Sequence, residues 1–327
     1  MRFLQTILMQ GLVVALGAVT GFAATSNEIA VAIRDLGAAD YRVREKATEF
    51  LTQAGTEAIT ALTAATYSRD PEVQQRAMEI LPSVKFGLTK EISSKVREAV
   101  ADYETAHRSR KPEIVALVMG LGDKGRPILL RLAAAEPVPE LRYEAFQAVA
   151  DLQQALPCRF KDNDTQLEAV LADFRFCQTI LPEDITTALC LIGHFDANGP
   201  KKAADTVFDY TYAMLEQCLA RQARSDEARN NLAWLCANAR RRQVDGLKHV
   251  RLALVAQPDS VVYLDTYAEL LFQTGKTDEA LGIVQQLIKR DPHEPYFREQ
   301  LARMKKGDPA APLPPPPLML KIEIELP

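Results

Sequence analysis

The chain repeats itself, and this restricts its fold more than any other feature. Segment 40–51 echoes segment 70–81 at an offset of thirty: Asp40 and Asp70, Val43 and Val73, Ala47 and Ala77, Glu49 and Glu79, Leu51 and Leu81 coincide. A looser third copy covers 138–149, with Pro139 in the first turn, where a missing N–H costs no hydrogen bond. Within a copy, Val43, Ala47, Phe50 and Leu51 recur at three- and four-residue intervals, which lays one apolar stripe along a helix and leaves Arg44, Glu45 and Lys46 outside. Between copies a second apolar helix over 58–67 is entered through Gly55, and its counterpart over 127–135 through Gly125. Two such short helices cannot bury both faces alone, so each pair must stack on its neighbour.

A second period lies further along. Between 261 and 294 stand Leu264, Tyr267, Ala268, Leu271, Gly275, Ala280, Val284, Leu287, Ile288 and Pro292, with Ala268, Ala280 and Pro292 spaced by twelve. The alanines let two helices approach, Gly275 turns the chain between them, and Pro292 cannot continue the second helix. Upstream, Asn231, Trp234, Gly246, Val250, Ala253 and Pro258 repeat the arrangement with one extra residue, and 295–306 begins another first helix that stops at Gly307. Composition agrees: 47% apolar residues with only 7% aromatics and fifteen glycines favours helix over a strand-rich sandwich.

The Asp-Pro-x-Val start at Asp70, followed by Arg76, Ala77 and Leu81, resembles HEAT-type repeats over residues 27–156, departing from the pattern at 88–110, where 89–103 reads as one longer helix without a partner. The twelve-residue spacing makes 227–306 resemble the tetratricopeptide repeat (TPR) family, with degenerate repeats leading into it, so the second block spans 165–307. The expected fold is all-α, an α-solenoid of stacked antiparallel helix pairs in an exported bacterial repeat protein. The TPR resemblance implies a concave groove for an extended or helical peptide of another protein. Carried over position by position, its lining is Asn230, Asn231, Trp234, Asp265, Glu269 and Phe272. The basic clamp by which some TPR domains hold a C-terminal carboxylate is not matched, because Asp265 and Glu269 are acidic.

The two ends differ from the body. Arg2, the apolar run 7–22 and small residues ahead of a cut after Ala23 read as a secretory signal peptide over 1–23, which predicts a periplasmic or secreted protein; an uncleaved anchor is the alternative. No later stretch is apolar for long enough to span a membrane. Residues 308–317 are a Pro-rich linker, expected to run as a stiff spacer. In 318–327, Leu320, Ile322, Ile324 and Leu326 alternate with Lys321, Glu323 and Glu325, the period of a strand. That tail either adds to a partner's sheet, stays unstructured or packs on the body.

Between 221 and 251 basic residues outnumber acidic ones. Arg240, Arg241 and Arg242 fill the long turn, either as a solvated loop or as a surface for an anionic partner. The sequence has five cysteines; Cys177 with Cys190 and Cys218 with Cys236 each flank a turn and could bridge, or all five, Cys158 included, are buried thiols. The glycines at 120, 122 and 125 spell a dinucleotide fingerprint but lie between helical segments with no strand before them. His107, His194, His249 and His293 stand alone, and no nucleophile, metal or phosphate motif is present, so neither a cofactor nor a metal is expected. The net charge of −4 argues against nucleic-acid binding by bulk charge. The sequence thus predicts a non-enzymatic protein-binding scaffold or assembly factor of the cell envelope, with a regulatory or substrate-positioning subunit, docked through the tail, as the alternative.

Overall fold

The computed structural model describes residues 24–159, 164–222 and 224–314. The expected signal peptide, the strand-like tail, the end of the Pro-rich linker and the Cys158 side chain lie outside the described residues. Among those residues every regular element is a helix, and none is long and apolar enough to cross a membrane. The chain divides into two compact units, residues 1–135 and 136–327.

The first unit is built from α1 (Ser26–Asp35), α2 (Tyr41–Ala54), α3 (Ile59–Ala65), α4 (Pro71–Phe86), α5 (Ser94–Ala101), α6 (Lys111–Met119) and α7 (Arg126–Ala134). The echoed aspartates act as helix starts. Asp40 accepts from the Arg42 N–H at 2.8 Å and Asp70 from the Glu72 N–H at 2.9 Å, satisfying donors that a helix N-terminus leaves unpaired. The two echoes, α2 and α4, pack against each other. Ala47, Leu51, Ala77 and Ile80 are buried in one core, while Arg76 reaches Glu45 at 2.9 Å and Arg44 reaches Glu72 at 3.0 Å across the helices. The residues left outside the apolar stripe therefore tie the repeats together along its edge.

One expectation is corrected here. Residues 89–103 do not form one helix: Ser93 adopts an extended backbone (φ −56°, ψ 147°), so α5 starts only at Ser94, and it packs on both α4 and α6 rather than standing alone. The glycines at 120, 122 and 125 join α6 to α7, the place between helices read for them from the sequence.

The second unit comprises α8 (Pro139–Ala145), α9 (Gln147–Arg159), α10 (Asp164–Ile180), α11 (Thr186–Asn198), α12 (Lys201–Arg221), α13 (Asp226–Ala239), α14 (Gln243–Ala256), α15 (Val261–Gln273), α16 (Thr277–Arg290) and α17 (Pro295–Lys305). The boundary at 135/136 precedes the one expected near 157–164. The reason is chemical: Arg142 of α8 holds Glu183 through two bonds of 2.9 Å, and the buried Gln153 of α9 donates to Gln178 of α10 at 3.3 Å. The third echo thus belongs to the second unit, and it is broken at Phe146 (φ −104°, ψ 31°) into α8 and α9.

α9 packs on α10, from α11 onward each helix packs on the next, and α9, α10, α11 and α13 also pack on the helix two places on. This nearest-neighbour order is that of a stacked array. Ala268 and Ala280 are fully buried at the contacts between helices, as their spacing predicted, and so are Ala233 and Ala237. Gly246 sets the closest approach: a Cβ there would stand 2.8 Å from the Cys236 Cβ and 3.3 Å from Leu270. We therefore expect Gly246→Ala to push α14 away from α13 and α15 and to lower unfolding stability by about 1–3 kcal/mol, the usual cost of overpacking, as a shift of the urea midpoint without a change of slope.

Candidate functional site

The first helices of successive pairs, α15 and α17, bring polar side chains together, and α13 meets them through the Ala237 carbonyl, which accepts from Gln273 at 2.9 Å. The packing that aligns them is apolar: Tyr263, Ala268, Leu271, Tyr296, Phe297 and Met304 share one core with Ala233 and Ala237. Adjoining this core lies a buried polar chain. The Tyr296 hydroxyl donates to Asp265 at 2.9 Å. Glu269 is paired with Arg303 and accepts from Gln300 at 3.2 Å and from Gln273 at 2.7 Å. Arg303 also donates from Nε to Gln300 at 2.9 Å and lies 5.1 Å over the Phe272 ring.

A charge removed from water must be paired and fully hydrogen-bonded to be tolerated. Glu269 meets that condition with three donors. Asp265 meets it only in part, and burial, helped by the nearby Glu269 charge and opposed by the Tyr296 hydrogen bond and by Arg303, lifts its carboxyl to about 7. Burial raises Glu269 too, with Arg303 and Gln273 pulling it back.

The residues of the sequence-derived lining differ in exposure. Asn230, Asp265, Glu269 and Phe272 are buried, and only Asn231 and Trp234 keep part of their surface free. Asn231 donates to the Glu183 carbonyl at 3.3 Å, and Trp234 packs against the apolar clusters on both of its sides. Burial arises because the residues of α17 fill the space in front of α15. Tyr296, Gln300 and Arg303 were not singled out from the sequence, although Glu269 and Arg303 stand thirty-four apart, one repeat length.

The chain beyond α17 also contributes. The residues expected to lead away as a spacer turn back instead. Gly307 takes a left-handed backbone (φ +74°), and Asp308 closes a turn by accepting from the Ala310 N–H at 2.8 Å. The Ala311 carbonyl then accepts from Arg303 at 3.2 Å and from Arg240, at the end of α13, at 2.6 Å. Leu313 and Pro314 follow, both partly covered.

The other two residues of the basic turn point elsewhere. Arg241 holds Asp196 through bonds of 2.9 and 2.8 Å and Asp205 at 2.9 Å, while Arg242 lies 4.4 Å over the Tyr212 ring with Asp209 at 3.4 Å. The cluster is therefore largely engaged within the unit, neither a bare solvated loop nor a bare cationic surface. The cysteine pairings expected from the turns are not formed: Cys177, Cys190, Cys218 and Cys236 are free thiols. Equal distance from a turn does not make them face each other. Cys177 is buried while Cys190 on the next helix is exposed; Cys218 points to Glu183 at 3.7 Å, whereas Cys236 packs against Gly246 of α14. Among the described residues no cluster of three or more His, Cys, Asp or Glu side chains could hold a metal ion.

Two measurements follow. Burial pushes the thiols of Cys218 and Cys236 up to about 12, so in the folded chain at pH 8 a thiol alkylating agent should modify exposed Cys190 first and leave Cys236 unmodified until unfolding, read by peptide mass mapping. For Asp265, the folded pKa lies above the unfolded one, so its favourable contribution is complete below about pH 4 and is lost as pH rises through about 7. Asp265→Asn removes that loss. Its stability relative to the parent chain should rise by about 2 kcal/mol between pH 5 and pH 8 in urea unfolding.

Residues 261–304, which hold α15, α16 and nearly all of α17, match the tetratricopeptide repeat family. No curated protein matches the chain. TPR repeats generally mediate protein–protein interaction, and the all-helical second unit carries one such match at its C-terminal end.

Proposed function

We propose that this chain is a non-enzymatic protein-binding scaffold of the cell envelope whose second unit holds an extended segment of a partner on the face formed by α13, α15 and α17. The reading rests chiefly on one observation: the chain's own segment 308–314 turns back so that the Ala311 backbone carbonyl is held by two arginines, Arg303 of α17 and Arg240 at the end of α13. Asn231, Trp234 and Asn238 on α13 are partly open, an aromatic side chain flanked by amides that each already make one bond, to the Glu183 and Trp234 carbonyls, a mixture suited to an unfolded peptide rather than to a small charged ligand.

In this reading the TPR-like array extends upstream of the matched residues through α13 and α14, and the first unit is a HEAT-like stack that serves as a second rigid surface. Export through residues 1–23 places the chain in the envelope, and the mechanism is binding without covalent chemistry.

The test is affinity capture from envelope extracts by the exported chain. Trp234→Ala and Asn238→Lys should each reduce recovery of the captured partner at least ten-fold while the helical circular-dichroism signal is retained. Val255→Asp, on the second-helix side at a residue 79% exposed, should leave recovery unchanged. Full recovery with both face variants, or loss with Val255→Asp, would refute the assignment of the face.

A further inference from the structure

The arrangement around Ala311 is a built site. Arg303 is only 8% exposed and is fixed on three sides: by Glu269, by Gln300 at 2.9 Å, and by the Phe272 ring beneath it. A guanidinium carries five N–H donors, and these contacts leave one edge of Arg303 directed at the chain's own return segment. Arg240, from the far end of α13, converges on the same oxygen at 2.6 Å. Two cations from different repeats therefore share one neutral backbone carbonyl. A lone surface arginine has no need of such an acceptor, because water serves it as well.

We propose that residues 308–314 are an intramolecular strap that fills the peptide site in cis, so that a partner's extended Pro-rich segment gains the face only by displacing it. This rests on the reading of that face as a peptide site. Three physical features support it. Pro309, Pro312 and Pro314 restrict the strap's backbone, which lowers the entropy lost when it lies down. Gly307 and the Asp308 turn deliver it to the site across only a few residues, an effective concentration on the order of millimolar. The anchor is a backbone carbonyl, which any extended segment can supply in its place. If the strap's own intrinsic Kd is about 100 μM, a tether of that strength reduces the apparent affinity of any competitor by roughly ten-fold.

The experiment uses the full chain and needs no partner. A fluorescent peptide of residues 306–317 is titrated, with anisotropy as readout, into the parent chain and into a full-length variant carrying Pro312→Gly, Leu313→Ser and Pro314→Gly. The strap of the variant is loosened while both arginines remain. The variant should bind the peptide about ten-fold more tightly than the parent. Adding Arg240→Asn to it should remove that gain; asparagine tolerates the left-handed backbone of position 240 (φ 51°) but cannot reach Ala311. Equal binding to parent and loosened chain, including none to either, overturns the strap, as does tight binding that ignores Arg240→Asn. If partner capture nevertheless depends on Trp234, the face remains a peptide site and only the cis occupancy falls.

Discussion

The second unit depends on helices that cannot stand alone. None of α13 to α17 is long enough to be stable in water by itself, so each is held by the neighbours it packs against. The contact is made close by small residues, Ala233 and Ala237 on α13, Gly246 on α14, Ala268 on α15 and Ala280 on α16. Close backbones bring the first helices within side-chain reach of one another. Only then can Tyr296 reach Asp265, and Arg303 reach Glu269, from one repeat to the next. The apolar spacing comes first in the causal order, and the polar face is its consequence.

That polar face is costly to bury. Two carboxylates and a guanidinium lie within a few side chains of each other, nearly sealed from water, and a hydrophobic replacement of similar shape could serve stability as well or better. What the network adds is direction. Glu269 uses its two oxygens on Gln273, Gln300 and Arg303, which fixes the guanidinium plane and leaves one edge of it turned toward the return segment. A terminal repeat normally ends in a polar outer surface; here α17 instead presents a fixed donor to the chain that follows it.

The sequence made the helical period legible because it is written in residue types with strong local meaning: aspartates ahead of helices, alanines at twelve-residue spacing, prolines at first turns. Asp40 and Asp70 start helices as read, and the 261–294 spacing falls on the stretch that matches the TPR family. The site was legible only as positions. Asp265, Glu269 and Phe272 are buried where Tyr296, Gln300 and Arg303 of α17 meet them, and Arg303 in turn meets residues whose return is set by the backbone of Gly307 and by a side-chain turn at Asp308. Composition alone read the Pro-rich stretch as a spacer, because stiffness says nothing about direction. The cysteine pairings failed for a similar reason: symmetry about a turn gives height along two helices but not the rotation of each about its axis.

Arg240, Arg241 and Arg242 show how far local charge is from function. All three share one turn, and in sequence they form a single basic block. In space Arg241 clamps the carboxylates of α11 and α12, Arg242 lies on an aromatic ring of α12, and Arg240 alone is turned to the face that carries the return segment. The left-handed backbones at 240 and 242, both at φ 51°, splay the three side chains apart, and this accounts for the extra residue that lengthens the turn relative to the following repeat. The insertion therefore serves two ends at once. It pins the array to its preceding pair of helices, and it projects a cation over the end of the polar face, where it meets the one supplied by the last helix.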